Sequence, residues 1–592
     1  RSDAENFASG GVDLLYRVTS DFALNATLNP DFGQVEVDPA VINLSVYETR
    51  YEEKRPFFIE GSEIFDFGRN TSGGQLFYSR RIGRPPQVRP VGAGVDMPET
   101  TTILGAGKLT GKTASGWSVG IMEAVTGEET ARFLNDSLEP EKAVAEPLTN
   151  YFVGRVRRDG RDGQSSVGAM LTAANRDLST DLVQATLRES AYAGGIDFRH
   201  EWSNRSWVLS GSFVGSRIAG DPRALVRVQT AGNHFFQRPD ADYLEVDSAA
   251  TSMNGYSVGM ALARQAGEHW RGELAAAATS PDFEVNDLGF QTRTDRRDAA
   301  LHLSYVENRP GTFFRNYAIT GITRWEHNYD NQRILNLNGI FASFRHLDYW
   351  GLSFNVRYQA TANDDRATRG GPLIERPALW TMGGEFNSDP RKPVTFGLGA
   401  GGGRGDYDSW SYSAGGNVGI KASPRWNLTL RPGLDRSFIP AQYVGTLPDA
   451  EATHTYGAHY LFAPLRQTTV FLETRLDFTF TPKLSFQLYA QPFISSGDYE
   501  AVAELLEPGG FEFAPWSGEL PNLDFNYRSL RGTAVLRWEW RPGSTLYVAW
   551  QQNRSDYAQG VGNFDFRRDQ DAMFHTRPDN VFVIKANYWI SP

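Results

Sequence analysis

From Thr101 onward, apolar and polar side chains alternate with period two over long stretches. In RWNLTLR, Trp426, Leu428 and Leu430 share one strand face, and Asn427, Thr429 and Arg431 the other. In VFLETRLDFTF, Val470, Leu472, Leu476, Phe478 and Phe480 alternate with Phe471, Glu473, Arg475, Asp477 and Thr479. After Pro482, Leu484, Phe486 and Leu488 oppose Ser485, Gln487, Tyr489 and Gln491, and further on Ala534, Leu536, Trp538 and Trp540 oppose Thr533, Arg537 and Glu539. A repeat of two is the side-chain period of a β-strand. Strands of about ten residues with one apolar and one strongly charged face are longer than the 5–6 residues common in soluble sandwiches. They fit a transmembrane barrel, apolar toward lipid and polar toward the lumen.

The connections alternate as well. Short turns fall at Arg309-Pro310-Gly311, Ser423-Pro424, Thr481-Pro482-Lys483 and Arg541-Pro542-Gly543, and long polar loops at 127–149, 219–250, 494–525 and 553–579. Short turns on one side and long loops on the other are the outer-membrane pattern. The expected fold is therefore all-β: a large antiparallel transmembrane barrel of about 24 strands, plus or minus about 2, with an even count. Segments 75–82 and 452–463 read equally as strand or loop. The last run, VFVIKANYWI, places Phe582, Ile584, Ala586, Tyr588 and Ile590 on one face. Such an ending resembles the signal read by the barrel-assembly machinery, although it closes on Ile-Ser-Pro rather than Phe. Trp426, Trp538, Trp540, Trp550, Tyr588 and Trp589 near strand ends suit interfacial girdles.

One early stretch breaks the pattern. After a hairpin over residues 11–28, the run from Asn29 to Phe67 mixes acids (Glu36, Asp38, Glu48, Glu52, Glu53), bases (Arg50, Lys54, Arg55) and aromatics (Tyr47, Tyr51, Phe57, Phe58). Barrel diameter grows roughly linearly with strand number, and 22-stranded transporters are already plugged. Residues 30–75 are therefore expected to sit in the lumen as a plug or constriction within a single domain, 1–592. Glu53, Lys54, Arg55, Phe57, Phe58, Arg80 and Arg81 are its candidate functional residues.

Composition narrows the partners. Aromatics are 13% of the chain and hydrophobic residues only 40%, with a mean hydropathy of −0.43, so no helical membrane protein is implied. The net charge of −11 argues against a nucleic-acid binder. Cysteine is absent, which excludes disulfides, thiolate metal sites and thiol nucleophiles. The chain opens at Arg1 with neither Met nor apolar leader; the expectation is a signal peptide upstream of this numbering, with room for a further domain.

NPDFGQVEVDPAVINLS, EKRPFFIEGSEIF and LFYSRRIGR, together with QRPDADYLEVD (Gln237–Asp247), SPDFEVNDLGFQ (Ser280–Gln291) and FTFTPKLSFQLYAQPF (Phe478–Phe493), resemble an uncharacterised bacterial outer-membrane barrel family. Its members usually follow an N-terminal domain like the family 9 carbohydrate-binding module. The resemblance implies fold and location, and it carries over no catalytic residues. None of residues 1–592 is expected to form that carbohydrate-binding-like domain.

Other motifs are weaker. Gly397 to Gly402 satisfies GxGxxG, but a strand-like run follows where a dinucleotide site needs a helix. Arg404-Gly405-Asp406 is a chance-level adhesive triplet. His234 stands alone in a loop, and His454 and His459 would fall on opposite faces if their run is a strand, so no metal cluster is expected. Asp240, Asp242 and Asp247, with Glu245, form a low-ranking loop cation candidate, as do Asp282, Glu284 and Asp287; solvated acidic loops are the simpler reading. No catalytic triad or cofactor is recommended by any segment. The sequence thus predicts a non-enzymatic barrel of the bacterial outer membrane. Its function is a plugged transport or export channel or, alternatively, a platform anchoring a periplasmic or surface protein. Its other partners are membrane lipid and the assembly machinery.

Overall fold

The computed structural model describes residues 8–30, 36–68 and 74–590. Its main element is one antiparallel sheet of 25 strands. Two short strands, Ala503–Leu505 and Phe513–Pro515, form a side flap on the strand Ala458–Thr481. The other 23 pair strictly in chain order, from Val12–Arg17 to Asp579–Asn587. The run is thus odd where an even number was expected, and among the described residues its first and last strands each pair with one neighbour.

The hairpin at the start is Val12–Arg17 against Phe22–Leu28, with Val12 opposite Leu28. Tight connections at 113–116, 161–164, 203–206, 424–425, 482–483 and 542–543 lie at one end of the sheet. Connections 29–102, 127–148, 177–189, 220–251, 280–295, 360–378, 449–457, 500–524 and 560–578 lie at the other. The chain crosses from end to end with every strand, so the mixed-charge stretch is the connection from Leu28 to Ile103 and enters from the long-loop end.

Several strands outrun their apolar pattern. Trp426–Pro448 has 23 residues and Ala458–Thr481 has 24, against the roughly 10 that cross a bilayer. Alternation marks where the apolar face ends, whereas backbone pairing continues beyond it. The ladder therefore takes in 458–463, half of one ambiguous segment, and carries strands to Tyr499 and Gln559 inside stretches expected to be loop. The other ambiguous segment is not a strand: 75–82 makes a single bridge, Gln75 to Phe290, and a 3-10 turn at Ser79–Arg81. The loop 127–149 carries its own small sheet (Ala93–Asp96, Glu129–Leu134, Pro140–Glu146). Loops 220–251 and 560–578 carry the helices Pro222–Gln229 and Phe566–His575.

Outward faces are apolar and bare: Leu398 is 62% exposed and Met382 65%. Aromatic stacks gather toward the short-turn end, among them Trp202 on Trp207, Tyr305 on Tyr317, Trp350 on Phe386 and Trp540 on Tyr588. A second set, with Tyr358 on Trp380 and Trp410 on Tyr412, lies toward the long-loop end. Trp550 stacks on Phe582 partway along its strand, away from either end. The GxGxxG glycines lie inside the strand Val394–Gly405, followed by the strand Trp410–Ser423. The main core lies on the inner side, where Met122, Tyr151, Val153, Met170, Val214 and Met253 of the strands pack against Phe58, Phe65, Leu76 and Ile82 of the insertion and Leu225, Phe236 and Phe283 of the loops.

Candidate functional site

The insertion folds around two short motifs far apart in sequence. Pro56 at the first position of a single helical turn, Pro56–Ile59, needs no N–H there. Gly61 then takes φ 66, where a Cβ would meet the Thr110 hydroxyl at 3.3 Å, and reverses the chain into Ser62–Phe65. This turn brings Glu53-Lys54-Arg55 against Ser79-Arg80-Arg81. Arg55 Nη2 donates to Glu53 Oε2 at 2.7 Å and to the Ser79 carbonyl at 2.8 Å, Arg55 Nη1 donates to the Ile82 carbonyl, and the Ser79 hydroxyl donates to Glu53 Oε2 at 2.6 Å. Burial would raise the Glu53 carboxyl, but the hydrogen bonds and charge of Arg55 together with the Ser79 hydroxyl outweigh it and hold Glu53 below the ordinary glutamate value.

Lys54 pairs with Glu36 at 3.2 Å, and Arg80 with Asp38 at 2.5 Å. Arg81 forks onto both oxygens of Glu48 at 2.7 Å each and donates through Nε to the Gly289 carbonyl. Phe58 is buried with the Arg55 guanidinium 4.3 Å from its ring centroid, and Phe57 packs edge-on against it. All seven candidate residues therefore meet in one cluster. Residues 31–35 and 69–73 of the stretch lie outside the described residues.

The cluster is tied to two well-separated arcs of wall. On one, Lys108 donates to the Phe57 and Glu60 carbonyls, Phe65 lies against Gly120, and Arg155, paired with Asp197, stacks on Phe67. On the other, Arg475 pairs with Glu36 at 2.9 Å, Gln491 accepts from the Ala40 amide at 2.8 Å, and Arg531 donates to the Asp38 carbonyl. Thr110 and Gly120 are only two and three residues from the short-turn ends of their strands, so the insertion reaches deep.

Between these arcs lies wall that the insertion does not fill. The strands from Gly351 to Thr481 set two rows across the inner face: Asn355, Gly383, Gly401, Ser413, Asp435, Thr469, and Ser353, Glu385, Gly399, Gly415, Gly433, Phe471. These rows line a cavity of about 980 Å³. Five glycines across neighbouring strands remove the side chains that would otherwise occupy it.

Loops at the long-loop end are locked by buried ion pairs that the sequence did not reveal. Asp287 accepts from Arg176 at 2.7 Å and Arg188 at 2.6 Å; Asp365 accepts from Arg293 at 2.8 Å and Arg238 at 3.3 Å. Burial would raise both carboxyls, but the arginines outweigh it and hold both well below the usual range. His234 is fully buried. Its Nε2 meets Glu284 at 2.9 Å and its Nδ1 meets the Pro281 carbonyl at 2.8 Å, so the ring faces acceptors on both sides. Glu284 and Asp287 are thus clasps, not part of a solvated run, and only the spacing of acids and bases across 50 or more residues encodes them. Arg84 stands apart: its Nε and Nη2 are shut from solvent without an acceptor, and burial lowers the guanidinium to about 10.

The loop cation candidate does not assemble. Asp240 takes Arg238 and the Leu373 amide, Asp242 and Asp247 are exposed, and among the described residues no three His, Asp or Glu converge as a metal site. His459 bridges Asp449 and Glu504, a link between loops.

A family model for a domain of unknown function, DUF5916, matches residues 1–591. The chain belongs to the DUF5916 family. No curated protein matches this DUF5916 chain. Among solved structures, it is similar to the siderophore receptor PirA from Acinetobacter baumannii, at 10% identity and TM-score 0.33 over 89% of this chain and 88% of that one. It is also similar to a mutant ferric enterobactin receptor, PfeA, from Pseudomonas aeruginosa in complex with enterobactin, at 9% identity and TM-score 0.34 over 78% and 82%. Likenesses of this grade carry no function over to the DUF5916 chain.

Proposed function

We propose that this chain is an outer-membrane β-barrel that works as a transport or export channel, with residues 30–75 constricting the lumen. The observation that carries the reading is the asymmetry of the interior. The insertion is fastened to the arcs around Lys108 to Asp197 and Arg475 to Arg531, while the glycine-rich wall between them faces the cavity of about 980 Å³. Solute passes along that wall, between Arg357, Glu385 and Asp435 on the sheet and the Glu36–Asp38 edge of the insertion. The bare apolar outer faces and the two bands of aromatics support a lipid setting. Phe582, 71% exposed, and Ile584, 76% exposed, give the last strand the apolar face expected for recognition by the assembly machinery.

The absence of native cysteine makes the path testable. A single Ser413→Cys variant, reconstituted in a planar bilayer, should lose most of its conductance when a bulky methanethiosulfonate reagent is added. Complete modification with unchanged current would refute a path along this wall.

A second reading is favoured by the strands that outrun the bilayer and the packed loops above them, with Tyr460, Phe462 and Leu505 in their own core. Such a cap suits a platform for a periplasmic or surface partner, including a carbohydrate-binding-like domain ahead of the barrel, with no through-path. Solute flux in liposomes without any partner separates the two. Neither reading involves catalysis or a cofactor, and a hydrolase screen on the purified barrel should be silent.

A further inference from the structure

A second cavity, of about 310 Å³, lies where the insertion meets the long loops, and it is built from charge. Arg81, Arg84, Arg188 and Arg227 line it, against Glu48 and Glu284. The acids and two of the arginines are already committed. Glu48 is forked by Arg81. Glu284 accepts from His234, from the Asn233 side chain and from the Asn286 amide. Arg188 is held by Asp287, and Glu146, beside Arg84, is taken by the amide and side chain of Gln87. Arg84 and Arg227 remain, and neither has an ion-pair partner among the described residues.

The two differ in setting. Arg227 projects, exposed, from the helix Pro222–Gln229 at the rim. Arg84 lies inside, with Nε and Nη2 closed off and without an acceptor, which leaves Nη1 to meet the cavity. A guanidinium shut from solvent without a hydrogen-bonded counter-charge is costly, because the pull of Glu146, already engaged by Gln87, only partly offsets desolvation. Every other buried arginine described above has its carboxylate or carbonyl. The exception faces a cavity large enough for a small ligand, with a second free cation at its mouth and the Asn233, Asn286, Gln87 and Thr186 side chains around it.

We propose that this cavity binds a phosphate-type oxyanion, free phosphate or a small phosphate monoester, with Arg84 as the inner and Arg227 as the outer cation. Guanidinium groups suit phosphate because they present several donors in one plane. The site is separate from the glycine-rich path and does not depend on the channel reading.

Titration calorimetry on the detergent-folded full chain, at constant ionic strength, tests the site with inorganic phosphate and with glycerol 3-phosphate. One ion should bind per chain. Arg84→Gln should weaken it about tenfold or more, the scale of one charge-assisted hydrogen bond, and Arg227→Gln, whose exposed side chain makes no hydrogen bond or ion pair among the described residues, should weaken it less. Tighter binding of glycerol 3-phosphate assigns the site to a monoester, and tighter binding of phosphate assigns it to the free ion. No uptake of either by the wild type at millimolar concentration, or equal affinity in the wild type and both variants, would overturn the proposal.

Discussion

Arg55 holds four oxygens and a ring at once: both Glu53 oxygens, the Ser79 and Ile82 carbonyls and the face of Phe58. Removing a cation from such a nest leaves Glu53 partly buried without its counter-charge. Arg55→Met should therefore cost about 3 kcal/mol, read as a shift in urea midpoint of a tryptophan-monitored transition, with new proteolytic cuts between residues 50 and 85. Asp287→Asn strands two guanidiniums and should speed hydrogen exchange through 280–295 far more than elsewhere, at a cost of about 3–5 kcal/mol. The acid side of the pH profile follows from the same pairs. Asp287, Asp365 and Glu284 are all depressed in the folded chain, so the stability they contribute is fully present above about pH 4, the unfolded carboxylate range. It is lost as pH falls through their lower folded values. Exchange protection of the long-loop end should stay flat from neutral pH to about pH 5 and fall below about pH 4; loss beginning near neutrality would contradict this assignment.

At the scale of elements, the strands were legible and their ends were not. Period two in RWNLTLR or VFLETRLDFTF shows which side of a strand is apolar, and those sides are the ones that point outward. Alternation says nothing about pairing beyond the apolar face, so the upper halves of Trp426–Pro448 and Ala458–Thr481 had no comparable signal. The insertion was recognisable by its composition and its motifs, and EKR and SRRI do sit together. What could not be read was their mutual fit, which needs Gly61 to turn the chain, or partners as distant as His234 and Glu284. The glycine-rich strands carry their own prediction. Gly399 has open space around an added Cβ, its nearest neighbour being the Gly384 carbonyl at 3.8 Å, so Gly399→Trp should fold normally by heat-modifiability on gels. The indole would project into the proposed path and reduce single-channel conductance at least severalfold. Normal conductance in the folded variant would place the path elsewhere.

Across the whole molecule, the sheet curves around its own second connection. The described residues between Leu28 and Ile103 leave from the long-loop end and touch both arcs of wall, so the proposed constriction lies within the connection between two neighbouring strands. The Glu36–Arg475 salt bridge joins residues 439 positions apart in sequence, so insertion and far wall are expected to unfold together. The central claim is that this insertion limits passage through an otherwise wide lumen. Single-channel conductance of the wild type against a variant deleted for residues 35–65, both verified as folded barrels, tests it most directly. The deletion variant should show a several-fold larger conductance; unchanged conductance with the barrel intact would mean that residues 35–65 do not restrict passage.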